Sequence, residues 1–336
     1  MTPQSRSLRI SAHSPNREIL FLLSGEDTSI PAAEAAALVR MQDEGARVDS
    51  PVGRVLIAST SADPDTISER IAFSRRVGVV VPDGDFRGED LQTLRSRTYR
   101  VNIFDLDGGT DHDAAVSEIA ERIGGKVSLK NPEVEVTVVR GGRDYVAISK
   151  PSLMSQEWVA RRPRKRPFFH PAAIFPKLSR ALVNLTRVRK GEVILDPFCG
   201  TGSLLLEAYE IGAVPVDVDI DARMARGALR NMLAFHQRWL GVVRADARVI
   251  PLRSVDAIAT DVPYGRASST AGRETRDVID ALVTTSSFLL STGHRMVLMH
   301  PKSVPIERGG GFELEEEHQL YIHRKLTRTI SVLRRV

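Results

Sequence analysis

Val193-Ile194-Leu195-Asp196-Pro197-Phe198-Cys199-Gly200-Thr201-Gly202, running into Ser203-Leu204-Leu205-Leu206-Glu207-Ala208, decides the fold. Three aliphatic residues make a short buried strand, the glycines a loop, and the apolar run after them a helix. A strand, a glycine loop and a helix in that order open an α/β sheet, whose ligands bind at the carboxyl ends of the strands. Working outward, strands are predicted at 193–195, 214–218, 241–244, 257–260 and 295–299, with helices over 203–210, 222–235 and 276–290. Then the alternation stops. Residues 312–323 and 328–335 are two extended runs with no helix between them, which predicts an antiparallel hairpin at the sheet edge. The expected domain over 171–336 is Rossmann-like: a mostly parallel seven-stranded sheet closed by that hairpin.

A Gly-x-Gly loop suits a dinucleotide as well, and Asp219, after Val214-Pro215-Val216, sits near the spacing for a ribose contact in either case. Three details favour S-adenosylmethionine instead. The third fingerprint glycine is missing, an acid (Asp196) opens the loop, and Asp261-Val262-Pro263-Tyr264-Gly265 follows a later apolar strand. By itself that pentapeptide is also an ordinary turn; after such a loop it matches a class I methyltransferase acting on a planar exocyclic amine. Such an amine is a poor nucleophile because its lone pair is delocalised into the ring, so both N–H groups must be held. Asp261 offers a carboxylate and Val262 its carbonyl. Pro263 fixes φ, and Tyr264 offers a face for a flipped base.

Charge is unevenly spread along the 336 residues. Residues 1–150 carry 19 Lys+Arg against 23 Asp+Glu, net −4, and residues 151–336 carry 28 against 19, net +9. With a pI near 9.5, a polyanionic partner is expected, met by the second half. A single cysteine, Cys199, excludes an internal disulfide and a multi-cysteine zinc site. It is expected to pack in the glycine loop and to serve as no nucleophile. No transmembrane-length apolar run and no signal peptide are present, so the expectation is a cytoplasmic protein with no membrane partner, no required metal, and a monomer as the default state.

The N-terminal half is expected as a loose segment over 1–16, an α+β part over 17–85 and a second α+β part over 86–150. In it, strands are predicted at 18–23, 54–59, 77–81, 98–103, 133–139 and 144–149, and helices at 31–42, 65–75 and 113–123. Residues 151–170 are expected to form a basic and aromatic linker, followed by a helix over 172–185. In that linker Arg161, Arg162, Arg164, Lys165 and Arg166 put five basic residues in six positions ahead of Phe168 and Phe169. Such a cluster can track a phosphate backbone. A solvated linker is the alternative, against which the paired aromatics argue. His170 is expected to pack or cap.

Val127-Ser128-Leu129-Lys130-Asn131-Pro132-Glu133-Val134-Glu135-Val136 resembles the hallmark of THUMP domains, an RNA-binding module of tRNA-modifying enzymes. Arg166-Pro167-Phe168-Phe169-His170-Pro171, with Leu182-Val183-Asn184-Leu185 and the 196–202 loop, resembles the archaeal tRNA guanine-10 N2-methyltransferases. The likeness spans residue 18 to the C-terminus. It implies a ferredoxin-like part over 17–85 and a THUMP part over 86–150 that bind tRNA, Lys130 and Asn131 among the RNA contacts. It further implies that Asp196, Gly200 and Gly202 lie along the methionine part of S-adenosylmethionine, with Cys199 beside them, that Asp219 binds the ribose hydroxyls, and that Asp246 contacts the adenine amine next to Ala247. Asp221 is better suited to capping the helix from Ala222. The implied reaction is methylation of guanosine N2 in tRNA, once or twice, at position 10; guanosine 6 and ribosomal RNA stay open. A noncatalytic RNA-binding protein is the alternative of another class. Where the family turn has Asp-Pro-Pro-Tyr-Gly, Val262 replaces the first proline, which keeps the carbonyl and loses one φ lock.

Overall fold

The computed structural model describes residues 16–25, 27–151, 155–235, 241–263, 274–306, 309–323 and 326–336. Two compact units divide the chain, 1–154 and 155–336. The first contains β1 (Arg17–Leu23), α1 (Ser29–Gln42), β2 (Arg47–Val48), β3 (Val55–Thr60), α2 (Pro64–Arg70), β4 (Ser74–Val80), α3 (Gly88–Ser96), β5 (Thr98–Asp105), α4 (His112–Ile123), β6 (Lys126–Val127), β7 (Val134–Arg140) and β8 (Tyr145–Ser149). Its strands form one eight-stranded sheet in the order β2-β3-β1-β4-β8-β7-β5-β6. The segments 17–85 and 86–150 therefore share a sheet, joined where Val79 and Val80 of β4 pair with Ile148 and Ala147 of β8. Local chemistry sets the helix starts. Asp63 accepts the Asp65 and Thr66 N–H groups ahead of Pro64, and Asp111 accepts those of Asp113 and Ala114, each satisfying orphan donors of the first turn.

The second unit contains α5 (Ser155–Ala160), α6 (Pro176–Leu185), β9 (Val193–Asp196), α7 (Ser203–Glu210), β10 (Val214–Asp219), α8 (Ala222–Phe235), β11 (Gly241–Arg244), β12 (Val255–Asp261), α9 (Thr275–Leu289), β13 (Leu290–Pro301), β14 (Phe312–His323) and β15 (Leu326–Arg335). The sheet order is β11-β10-β9-β12-β13-β15-β14, with β15 antiparallel to both its neighbours. The Rossmann-like α/β fold with its closing hairpin is present as expected. On one face Leu195, Val216, Val218, Ile258, Met296 and Leu298 pack on Ile279, Leu282 and Leu289 of α9. Toward the other, Leu205 and Leu206 of α7 pack with Cys199, Ala228 and Met232.

Three local expectations are corrected. The helix expected over 65–75 stops at Arg70, because β4 begins at Ser74 to pair with β1. Helix α3 was not foreseen: it shows only Leu91 and Leu94 as apolar residues, yet Leu94 is fully buried among Tyr99, Ile119 and Ile123. The helix expected from 172 starts at Pro176, proline being preorganised for the first helical position. Among the described residues no helix is long and apolar enough to cross a membrane.

Candidate active site

Three carboxylates stand at the carboxyl ends of three adjacent strands. Asp196 ends β9, Asp219 ends β10 and Asp261 ends β12. Strand order turns here, since β9 has β10 on one side and the later β12 on the other. Such a switch point is where open α/β sheets bind ligands. Asp196 is 4% exposed. Its Oδ1 accepts the Thr260 hydroxyl at 2.6 Å and the Phe198 N–H at 3.1 Å, while Oδ2 has no hydrogen-bond partner. Burial first, then nearby Asp261 and Asp219, push its pKa up to about 7. Asp217, on the same strand as Asp219, is buried beside Cys199 and also raised, by burial and by Asp196. A crowd of buried carboxylates with an unpartnered oxygen suits a cationic ligand. The ammonium and sulfonium of S-adenosylmethionine fit that donor set.

Asp219 ties the glycine loop to the turn after β10. Asp219 Oδ2 accepts the Gly200 N–H at 2.9 Å and Oδ1 the Asp221 N–H at 2.8 Å. Asp221 in turn accepts the Arg223 N–H at 2.7 Å, the capping role expected of it. Gly202 sits at φ +75°, and a Cβ there would lie 3.3 Å from that of Ala228. Glycine lets the loop turn left-handed and press on α8. Cys199 is buried, its thiol pushed well up by burial and by Asp217, so it packs and is not reactive.

Asp261 is the partly open member, with its side chain 21% exposed. Burial raises its pKa to about 6 against the opposing pull of Arg328, whose guanidinium pairs with it. The same Arg328 Nη2 lies 3.2 Å from the Met299 carbonyl and 3.4 Å from that of Val262. The Asp261 carboxylate and the Val262 carbonyl thus lie within reach of a single amino group. Val262 is fully buried and donates its N–H to the Met299 carbonyl at 2.9 Å. Proline has no N–H to give. In this chain a backbone hydrogen bond to β13 ties the turn at Val262 to the neighbouring strand. Tyr264 lies outside the described residues.

The basic cluster at 161–166 divides in two. Arg162, Arg164 and Lys165 are exposed, as a phosphate contact requires. Arg161 and Arg166 are each 5% exposed, which corrects the expectation that all five present charge to a polyanion. Arg161 Nε donates to Glu207 Oε1 at 2.8 Å and its Nη1 to Glu210 at 3.2 Å; Arg180 donates to Glu207 Oε2 at 2.8 Å. Trp158 lies under both guanidiniums, at 5.2 and 5.3 Å. Arg166 donates to the Ser203 hydroxyl at 2.6 Å and to the Arg161 carbonyl at 3.0 Å, and burial brings its pKa down to about 10. The expected linker is thus structured over its described part, with α5, a short 3-10 turn at Pro163–Lys165 and a strap bound to α7.

Asp246 holds Arg248 through both carboxylate oxygens and caps the Arg248 N–H at 3.0 Å, beside buried Ala247. It is therefore engaged in its own loop as well as standing near the end of β11. Lys130 and Asn131 are exposed on the turn before β7, which Thr98 and Glu133 tie down. Thr260, Asp217, Asn231 and Arg328 were missed. Only Asp217, an acid inside the apolar run Val216-Asp217-Val218, carried a local signal.

A family model described as an RMKL-like methyltransferase domain matches residues 163–330. The chain is 31% identical to the tRNA (guanine(10)-N2)-dimethyltransferase of Methanothermobacter thermautotrophicus, over 95% of this chain and 100% of that one. It is 28% identical to the tRNA (guanine(6)-N2)-methyltransferase of Thermus thermophilus, over 71% of this chain and 78% of the other. Among solved structures, TrmN from Thermus thermophilus shares the fold with a TM-score of 0.50 at 22% identity, covering 95% of this chain and 100% of that one. Given a full-length relative at 31% identity and a methyltransferase model over half its residues, the chain belongs to the tRNA (guanine(10)-N2)-dimethyltransferase family.

Proposed function

We propose that the protein methylates the exocyclic N2 amine of guanosine 10 in tRNA, using S-adenosylmethionine, once or twice. The observation that carries this is that one turn at the end of β12 bears two adjacent acceptors, the Asp261 carboxylate and the Val262 carbonyl, beside the strand ends that bear Asp196 and Asp219. Asp196 and the Gly200–Gly202 backbone hold the methionine part of the cofactor, Asp219 the ribose, and Asp246 with Ala247 the adenine. When bound, S-adenosylmethionine supplies an electrophilic methyl group and leaves as a neutral thioether. Asp261 and Val262 each take one N–H of the target amine and turn its lone pair toward that methyl. The amine lone pair forms the new N–C bond, and Asp261 accepts the N2 proton and releases it to solvent. Fixing this alignment supplies much of the rate. The exposed Lys130–Asn131 turn and Arg162, Arg164 and Lys165 contact RNA backbone, and the N-terminal unit recognises tRNA shape.

Replacing guanosine 10 of a tRNA transcript by inosine removes the amine and nothing else. Methyl transfer is expected to vanish while RNA affinity stays within a few-fold. Undiminished transfer to the inosine transcript would assign the methyl to another atom or position, guanosine 6 being the first to map given the 28% identical relative.

A further inference from the structure

We propose that Arg328 is a positioning residue of the methyl transfer: from β15 it holds one oxygen of Asp261 and keeps that carboxylate ionised and fixed, with its other oxygen left for the amine. This rests on the role given to Asp261 above. Arg328 stands two strands from Asp261, pairing with Pro301 of β13, whose Met299 pairs with Asp261. Only a long side chain bridges that gap. It arrives with one planar amino group shared among Asp261 Oδ1 and the Met299 and Val262 carbonyls. A lysine delivers the charge without this fixed geometry.

The charge has work to do. Asp261 is mostly but not wholly buried, its side chain 21% exposed, and burial drives it toward its neutral form. A neutral carboxyl would be a donor at the place where an acceptor is needed. Among the described residues the charged groups coupled to it are Asp196 at the end of β9 and Arg328 on β15; His300 of β13 also feels Arg328. Asp196 and Asp261 are electrostatically coupled, and like charges on the two oppose each other's ionisation. Arg328 is the cation paired with Asp261. In the transfer the N2 electron pair forms the bond to the methyl carbon, the carbon–sulfur pair stays on sulfur, and the N2 proton passes to Asp261. Beside Arg328 the carboxyl gives that proton up to water and is ready for a second methyl.

The test is single-turnover methylation of tRNA across pH 6 to 9 by wild type, Arg328→Gln, Arg328→Lys and Asp261→Asn, with cofactor and tRNA affinities and thermal melts measured alongside. Arg328→Gln should lower the rate at pH 7 about tenfold or more, with ligand affinities within threefold. Its acid limb should move up by about one pH unit, the scale of a lost opposite charge, so that the deficit narrows at pH 9. Arg328→Lys should restore most of the acid limb. A deficit equal at every pH, a rate like wild type, or a faster rate from Arg328→Gln would each overturn the proposal. If Arg328→Gln does not fold, Arg328→Lys decides: an acid limb near that of wild type with a lowered plateau rate supports the role, and an unchanged profile and rate overturns it. Asp261→Asn separates the two claims. If it is active, the role of Asp261 fails and Arg328 falls with it; if it is inactive at all pH while Arg328→Gln shows none of the expected changes, only the present inference fails.

Discussion

Asn231, buried on α8, makes both backbone hydrogen bonds of Phe168: its Oδ1 accepts the Phe168 N–H at 2.8 Å and its Nδ2 donates to the Phe168 carbonyl at 2.9 Å. The same Nδ2 donates to the Thr201 carbonyl at 2.9 Å, so one amide ties the strap at 166–170 to the glycine loop. Asn231→Leu strands these buried backbone groups and is expected to lower stability by about 2–4 kcal/mol. Because Thr201 lies in the loop, affinity for S-adenosylmethionine should fall as well. Urea unfolding and a cofactor titration check both, and unchanged values in the two would mean the strap is not anchored here.

Gly227 sets two effects against each other. Alanine in a helix interior gains about 1 kcal/mol over glycine, but a Cβ at this position would lie 2.0 Å from Cδ1 of the Phe168 ring. Overpacking of this kind costs about 1–3 kcal/mol, so Gly227→Ala should destabilise despite its helix propensity. Adding Phe168→Leu should recover most of the loss, a coupling that a double-mutant cycle reads directly. A more stable Gly227→Ala protein would contradict the packing of the ring on α8.

Two kinds of arginine within six residues should respond oppositely. Arg161→Ala leaves Glu207, which is fully buried, short of one of its two cations, and is expected to destabilise by about 3–5 kcal/mol. Neutralising Arg162, Arg164 and Lys165 together should leave the melting temperature within a degree or two while reducing the salt slope of RNA binding by about 2, near the counterion release of three phosphate contacts. Swapped outcomes would mean that the buried and exposed sets are misassigned.

Asp196 makes stability pH-dependent in a direction opposite to that of a salt-bridged carboxylate. Its native pKa, about 7, lies above the ordinary 3.8, so between those values the native state binds the extra proton and stability falls as pH rises. The fall is expected to reach about 2–4 kcal/mol by pH 8. Asp196→Asn keeps an acceptor for Thr260 and carries no charge. Cofactor-free, it should lose less stability than wild type between pH 4.5 and 8, while binding S-adenosylmethionine more weakly. Parallel stability curves would show that Asp196 is not held in a costly ionised form.

The strand, loop and helix at 193–210 and the turn at 261–263 were legible because their information is local: an aliphatic run, glycines at a fixed offset, an acid before a proline. What completes the site was not. Arg328 reaches Asp261 from 67 residues away and Asn231 reaches Phe168 from 63, and no periodicity encodes such a meeting. The run at 161–166 misled for a related reason. Charge alone does not tell an arginine facing water from one aimed at Glu207, 46 residues on. Val262 was read as a weakened turn because the sequence does not show the carbonyl of Met299 that receives its N–H.

The most direct measurement is nucleoside mass spectrometry, with position mapping, of unmodified tRNA incubated with the protein and methyl-labelled S-adenosylmethionine. N2-methylguanosine at position 10, passing to N2,N2-dimethylguanosine with time and absent with Asp261→Asn, is the expected result. Label on a base other than guanine, on a ring nitrogen or ribose, or at full yield with Asp261→Asn would contradict the assignment of this turn to the N2 amine.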